Sequence, residues 1–155
     1  MNLGEGRFAE AATAYGLDSL RDGRGMVASD FDGDGDLDFV VNCHKAQPQY
    51  FVNGAPQGHW LQVRLRGRAS NRDGVGAILR ARCGALRQMR VVSAGDGYQS
   101  QSSRTQHFGL AAASVVDELE VTWPSGKVQR FTALPADRIV EIDEDSDDAR
   151  TVSLK

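Results

Sequence analysis

His59-Trp-Leu-Gln-Val-Arg-Leu-Arg-Gly67 decides the fold. Leu61, Val63 and Leu65 alternate with Gln62, Arg64 and Arg66, and Arg68 continues the polar row. A period of two sends successive side chains to opposite faces of an extended chain, so this stretch reads as a half-buried strand. The same pattern continues downstream. Residues 77–83 and 86–94 flank Gly84-Ala85 as a predicted hairpin. Leu119, Val121 and Trp123 alternate with Glu118, Glu120 and Thr122, and Pro124-Ser-Gly126 then turns the chain into Lys127–Thr132, a second hairpin. Residues 138–142 add a strand. Upstream, residues 26–30 and 38–43 are short apolar runs. Trp60 and Trp123 are expected in the core. The helical signal is confined to Phe8–Tyr15, stopped by Gly16, and to one turn at most over Leu110–Ser114.

Composition agrees with an all-β reading. The 155 residues suffice for one compact domain, or one domain with a fragment of another. Seventeen glycines, four prolines and short apolar runs imply many tight turns. Hydrophobic residues at 41% and charged residues at 25% argue against global disorder. No stretch approaches the roughly 20 apolar residues of a membrane helix, so no membrane insertion is expected. The start, Met1–Gly6, has neither a basic nor an apolar leader region, so secretion is not read from it. Cys43 and Cys83 permit one disulfide but no disulfide framework. Asn53-Gly-Ala-Pro-Gln-Gly58 marks a boundary. The expected organisation is a glycine-punctuated first part over 1–53, a linker over 54–57, a β domain over 58–143 and an acidic tail over 144–155.

Asp30-Phe-Asp-Gly-Asp-Gly-Asp-Leu-Asp38 is the strongest chemical signal. Hard oxygen ligands at alternating positions wrap one cation, and the glycines supply backbone angles other residues resist. The side chains of Asp30, Asp32, Asp34 and Asp38 are expected to coordinate, with Asp36 contributing its backbone carbonyl. Without a cation, carboxylates ~4–5 Å apart repel by roughly 1 kcal/mol per pair even in water. Calcium suits a crowded carboxylate site better than magnesium, and zinc or copper would prefer nitrogen or sulfur. An EF-hand fails, because the twelfth position from Asp30 is Val41 and the flanks read as strands. No nucleophile or acid–base partner stands near the aspartates in sequence, which argues against catalysis.

Asn2-Leu-Gly-Glu-Gly-Arg-Phe8, Gly16-Leu17, the aspartate loop and Tyr50-Phe-Val-Asn53 together resemble one FG-GAP/VCBS repeat, the calcium-binding blade of integrin-type β-propellers. His59–Gly67, Ser70-Asn-Arg-Asp-Gly-Val-Gly-Ala77, Gly97-Tyr-Gln-Ser-Gln-Ser102, His107-Phe-Gly-Leu110 and Val121-Thr-Trp-Pro-Ser-Gly126 resemble the ASPIC/UnbV domain. That domain follows such repeats in the cartilage acidic protein family. The resemblance implies a propeller-like blade joined to an antiparallel sandwich or barrel. It also implies an extracellular, calcium-binding, non-catalytic module. The alternatives are a calcium-dependent, lectin-like carbohydrate-binding module, or the accessory domain of a secreted enzyme.

Weaker candidates have structural readings. Ser70–Gly74 is explained by turn chemistry. Asp143-Glu-Asp-Ser-Asp-Asp148 alternates acids but lacks glycine, which makes it a poor second calcium site. Asp96, Gly97 and Ser100–Ser103 read as loop residues. His44, His59 and His107 lack zinc spacing, and His107 is expected to be a buried hydrogen-bonding residue. Eight arginines crowd residues 64–90, and Arg64, Arg66 and Arg68, with Arg80, Arg82 and Arg90 near them, are expected to form one basic face. An acidic glycan or an extracellular protein suits such a face; nucleic acid does not, because stacking aromatics are missing. The acidic segments could also dock on it in another copy, so self-association into a ring or filament is expected.

Overall fold

The computed structural model describes residues 2–4, 6–54 and 58–152. Most of the expected linker, 55–57, lies outside them. The order of elements is β1 (Asn2–Gly4), β2 (Arg7–Phe8), a 3-10 turn (Thr13–Tyr15), β3 (Gly23–Ser29), β4 (Asp38–Cys43), β5 (Gln49–Phe51) and β6 (His59–Arg66). It continues through β7 (Ile78–Cys83), β8 (Leu86–Val91), β9 (Gln106–Ala111), β10 (Val115–Thr122), β11 (Val128–Pro135), β12 (Arg138–Asp143) and β13 (Ala149–Val152). The protein is all-β, and both predicted hairpins are present as β7–β8 and β10–β11.

Two four-stranded sheets make a sandwich, ordered β13-β12-β6-β9 and β11-β10-β7-β8. Leu61, Val63, Phe108 and Ile142 of the first share one buried core with Leu79, Leu119, Val121 and Phe131 of the second. Full burial of each such side chain is worth ~1.5–3 kcal/mol, so this core dominates stability. The first sheet is mixed, because β12 lies parallel to β6, with Val140 opposite Val63. Trp123 is buried and its indole donates to Gln129 Oε1 at 2.6 Å.

Several expectations need correction. Trp60 is only half-buried and lies outside the shared core. The odd positions Leu61, Val63 and Leu65 of β6 enter the sandwich, which turns Trp60 and Gln62 to its outer face. The helix over Phe8–Tyr15 reduces to the 3-10 turn, with Gly16 left-handed (φ 67°) at its end as expected. Leu110 lies within β9, which runs to Ala111, rather than in a helical turn. Within the segment read as an acidic tail, Ala149–Val152 forms β13, which pairs with β12 and extends its sheet. Cys43 and Cys83 are buried, free thiols.

The third sheet, β3-β4-β5, is separate in hydrogen bonding and small. Phe39 and Phe51 stack across it with centroids 4.7 Å apart. The β3–β4 connection is the aspartate loop, and it reaches across to the outer face of β6 and β9.

Candidate metal centre

The loop folds around its first carboxylate. Asp30 Oδ1 accepts from Gly33 N at 2.7 Å and its Oδ2 from Gly35 N at 3.1 Å. Asp32 and Asp34 repeat the device with the amides of Asp34 and Asp36. Gly33 and Gly35 have φ of 82° and 98°, a region that side chains resist. The outcome is that one carboxylate oxygen each of Asp30, Asp32 and Asp34 lies within 4.8 Å of the others. Among the described residues, no Lys or Arg forms an ion pair with Asp30 or Asp32. An all-oxygen, all-carboxylate donor set fits a hard divalent cation.

Asp36 and Asp38 are placed differently. Asp38 is 1% exposed, and its carboxylate accepts from Phe31 N, the Tyr50 hydroxyl and Asn53 N. Burial favours its neutral form, but those three bonds outweigh burial and hold its pKa below the usual range. Tyr50 is pushed up to about 12 by burial and by the same carboxylate. Asp38 thus fastens β4 to the chain after β5. One carboxylate oxygen of Asp36 is buried without a hydrogen-bond partner. Burial first, then the charges of Asp34, Asp38, Asp32 and Asp30, raise its pKa.

The loop is docked on the sandwich by residues that no local pattern connects to it. Gln62, 6% exposed, donates through Nε2 to Asp30 Oδ2 at 2.8 Å. His107 Nε2–H donates to the Gly35 carbonyl at 2.8 Å. Trp60 lies against Gly35 so closely that a Cβ there would stand 1.9 Å from its indole nitrogen. The expectation that His107 is a buried hydrogen-bonding residue was a hint; Gln62 belongs to the ordinary polar row of β6 and gave none.

The second acidic segment makes no such cluster, since among the described residues only Asp30, Asp32 and Asp34 meet. Asp143 receives the Arg68 guanidinium at 2.6 Å; that contact and the Asp145 amide hold its pKa at about 2. Glu144, 1% exposed, accepts from Arg68 N, Ser70 N, Ser70 Oγ and Ser125 Oγ at 2.6–2.8 Å. Burial alone would raise its pKa, but these bonds together bring it down to about 2. Asn71 bonds Val75 in both directions, which closes the 70–74 turn. Asp96 ties its own loop through Ser102 N at 2.7 Å.

The single basic face does not form. Arg80 and Arg82 lie on β7 in the other sheet, where β10 sets Glu120 and Glu118 opposite them. Glu120 takes Arg80 at 3.3 Å and Arg130 at 2.7 Å. Arg90 sits 5.2 Å over the Phe108 ring.

Comparison with known proteins gives one family. Residues 67–149 match the family described as ASPIC and UnbV, a stretch that leaves the aspartate loop outside it. Cartilage acidic protein 1 of Mus musculus is 35% identical over 112 residues, covering 68% of this chain and 17% of that protein. The Xenopus tropicalis protein is 35% identical over 115 residues, with 69% and 17% covered. The Homo sapiens protein is 35% identical over 112 residues, with 68% and 16% covered. The chain therefore matches about a sixth of the length of these relatives.

Proposed function

The chain belongs to the ASPIC and UnbV family, and on that premise we propose that it is a non-catalytic, extracellular calcium-binding module. In this reading one calcium ion is held by Asp30, Asp32 and Asp34, and it rigidifies the loop that pins the FG-GAP/VCBS-like strands to the sandwich. The observation that carries the reading is the convergence of three carboxylates within 4.8 Å on a loop whose backbone is docked on β6 and β9. Calcium relieves the crowding, and Asp36, whose carboxylate oxygen lacks a partner, gains a nearby positive charge. The extracellular setting rests on kinship with cartilage acidic protein 1. No helix among the described residues is long and apolar enough to cross a membrane.

Self-association belongs to the same proposal. The N-terminal part exposes Phe8 at 75%, Leu20 at 103% and Met26 at 54%, and its sheet leaves β3 and β5 as edges. Such edges template pairing with another strand. Light scattering over a concentration series, with calcium and then chelator, should show mass rising with concentration; a monomer mass throughout removes this part.

Calorimetric titration of the calcium-stripped chain tests the metal site. One binding event is expected in the native protein and none in Asp32→Ala. No heat in the native chain, or equal heats in both, overturns the calcium reading. A glycan array read in calcium and in chelator separates the lectin alternative, through hits lost on chelation, and an enzymatic one, through cleavage products.

A further inference from the structure

We propose that a cleft between β6 and the loops 67–73 and 101–105 binds an anionic saccharide, a sugar chain carrying sulfate or carboxylate groups. The cleft measures about 530 Å³ and is walled by Arg64, Arg66, Arg72 and Arg104. That volume falls within the ~300–1,000 Å³ of small-ligand sites. Two of its arginines come from one strand face: Arg64 and Arg66 are two residues apart on β6, so both project outward. Arg72 and Arg104 arrive from the two loops.

The charge in this cleft is not neutralised by the fold. Arg104 pairs with Asp73 at 2.6 Å. Arg66 comes no nearer than 3.9 Å to Asp143, whose carboxylate is already held by Arg68 at 2.6 Å. The guanidinium groups of Arg64 and Arg72 have no ion pair and no hydrogen bond among the described residues. Register places Glu141 of β12 opposite Arg64, yet no ion pair joins them. Four arginines against Asp73 and Glu141 leave an excess of two positive charges. The outer face of the other sheet differs: there Glu120 and Asp117 engage Arg80, Arg130 and Arg82. Desolvating part of a guanidinium without a partner is unfavourable, so an incoming anion that forks onto it is favoured.

The rest of the lining selects the ligand class. Glu141 is half-buried and its carboxylate has no hydrogen-bond donor among the described residues, and the cleft also presents Ser103 and Thr105. A ligand must therefore bring donors beside its anions. Sugar hydroxyls do so, whereas the side chains of an acidic peptide bring acceptors only. No aromatic ring lines the cleft, so the base stacking that single-stranded nucleic acid uses is missing.

The test is calorimetry of the full chain with four probes: a heparin hexasaccharide, a hyaluronan hexasaccharide, inorganic sulfate and a penta-glutamate peptide. The native chain should bind at least one hexasaccharide more tightly than sulfate or the peptide; heparin or hyaluronan then identifies sulfate or carboxylate as the preferred group. The double variant Arg64→Ala/Arg72→Ala should bind it at least ~10-fold more weakly, the scale of one lost charge-assisted contact. Neither side chain holds an ion pair or hydrogen bond among the described residues, and truncation leaves the Arg72 carbonyl free to keep its bond from Gly67 N, so an unchanged melting curve is expected and Arg72→Glu supplies a second variant. Arg80→Ala/Arg130→Ala removes the same charge from the other sheet and should stay within about twofold of native. Three results overturn the proposal: no binding of either hexasaccharide, equal weakening in both double variants, or sulfate or penta-glutamate bound as tightly as the sugars.

Discussion

The protein has two acid-rich segments, 30–38 and 143–148, and it treats them in opposite ways. In the second, the fold compensates each important carboxylate: Asp143 has the Arg68 guanidinium and Glu144 has four hydrogen bonds in a nearly solvent-free site. In the first, the donors come largely from the loop's own amides, and they draw three carboxylates toward one another. Electrostatics then distinguishes a structural acid from a candidate ligand. A carboxylate whose charge is answered by protein donors is part of the scaffold, with its pKa held low. Carboxylates drawn within 4.8 Å of one another are candidate ligands, because a cation would relieve their mutual repulsion.

The largest expected effect breaks the scaffold side of this contrast. Glu144→Ala leaves four donors around a cavity, and each bond to a buried charge is worth ~1.5–3 kcal/mol. A loss of about 3 kcal/mol is expected after partial relaxation, which lowers Tm by roughly 10 °C. That loss should be the same with calcium or chelator. The pH dependence has a definite sign. The folded pKa of Glu144 is about 2 against an ordinary 4.5, so its stabilisation is complete above about pH 4.5 and disappears as pH falls toward 2. Asp143, also held at about 2, acts in the same direction. Thermal melts between pH 6 and 2 should show the native chain losing its advantage over Glu144→Ala across that interval; a constant gap refutes the assignment.

Next in size is calcium itself. An ion that binds only the folded protein stabilises it by about 2.7 kcal/mol at a concentration 100 times its dissociation constant. Melting temperature should climb with free calcium in the native chain and in Glu144→Ala, and stay flat in Asp32→Ala. The two acid segments would thus respond independently, as sites without a shared partner do. A calcium-dependent Tm in Asp32→Ala would move the site elsewhere.

How much of this was legible in the sequence follows from the range of the forces involved. Period-two alternation is local, so β6, β7, β10 and both hairpins could be read directly. The aspartate loop was legible because its spacing and glycines are one contiguous device. Glu144 was not, since its partners Arg68, Ser70 and Ser125 lie 19 to 76 residues away and nothing local separates it from its acidic neighbours. The arginines failed for the same reason. Which of them meets an acid depends on sheet order, with β7 beside β10 and β6 beside β12. Trp60 misled because it was read as part of an apolar face, while its parity on β6 puts it opposite Leu61, Val63 and Leu65.

A smaller effect sharpens the link between loop and sandwich. Gly35→Ala places a methyl group 1.9 Å from the Trp60 indole nitrogen at a φ of 98°. The strained backbone alone costs ~1–3 kcal/mol, and the loop can escape it by lifting away. Calcium affinity should fall and Trp60 fluorescence should shift to the red, while the sandwich melts close to its native temperature. Unchanged fluorescence would mean that the loop and Trp60 are not in register as described.

Gln62→Ala is the mildest probe and separates docking from ligation. Its side-chain amide contributes one hydrogen bond to a carboxylate, at 2.8 Å, and touches the candidate ion only through Asp30. Losing a bond to a charged group costs ~1.5–3 kcal/mol when the charge stays buried, but Asp30 keeps its contacts to Gly33 and Gly35. An effect of about 1 kcal/mol is therefore expected, read as a roughly fivefold weaker calcium affinity with unchanged stoichiometry. Isosteric Gln62→Glu should do more harm in chelator, because a fourth carboxylate then faces Asp30, and less in calcium, which offsets the added repulsion. If Gln62→Ala and Gln62→Glu bind calcium alike, Gln62 only fills space beneath the loop, and the coupling runs through His107 and Trp60.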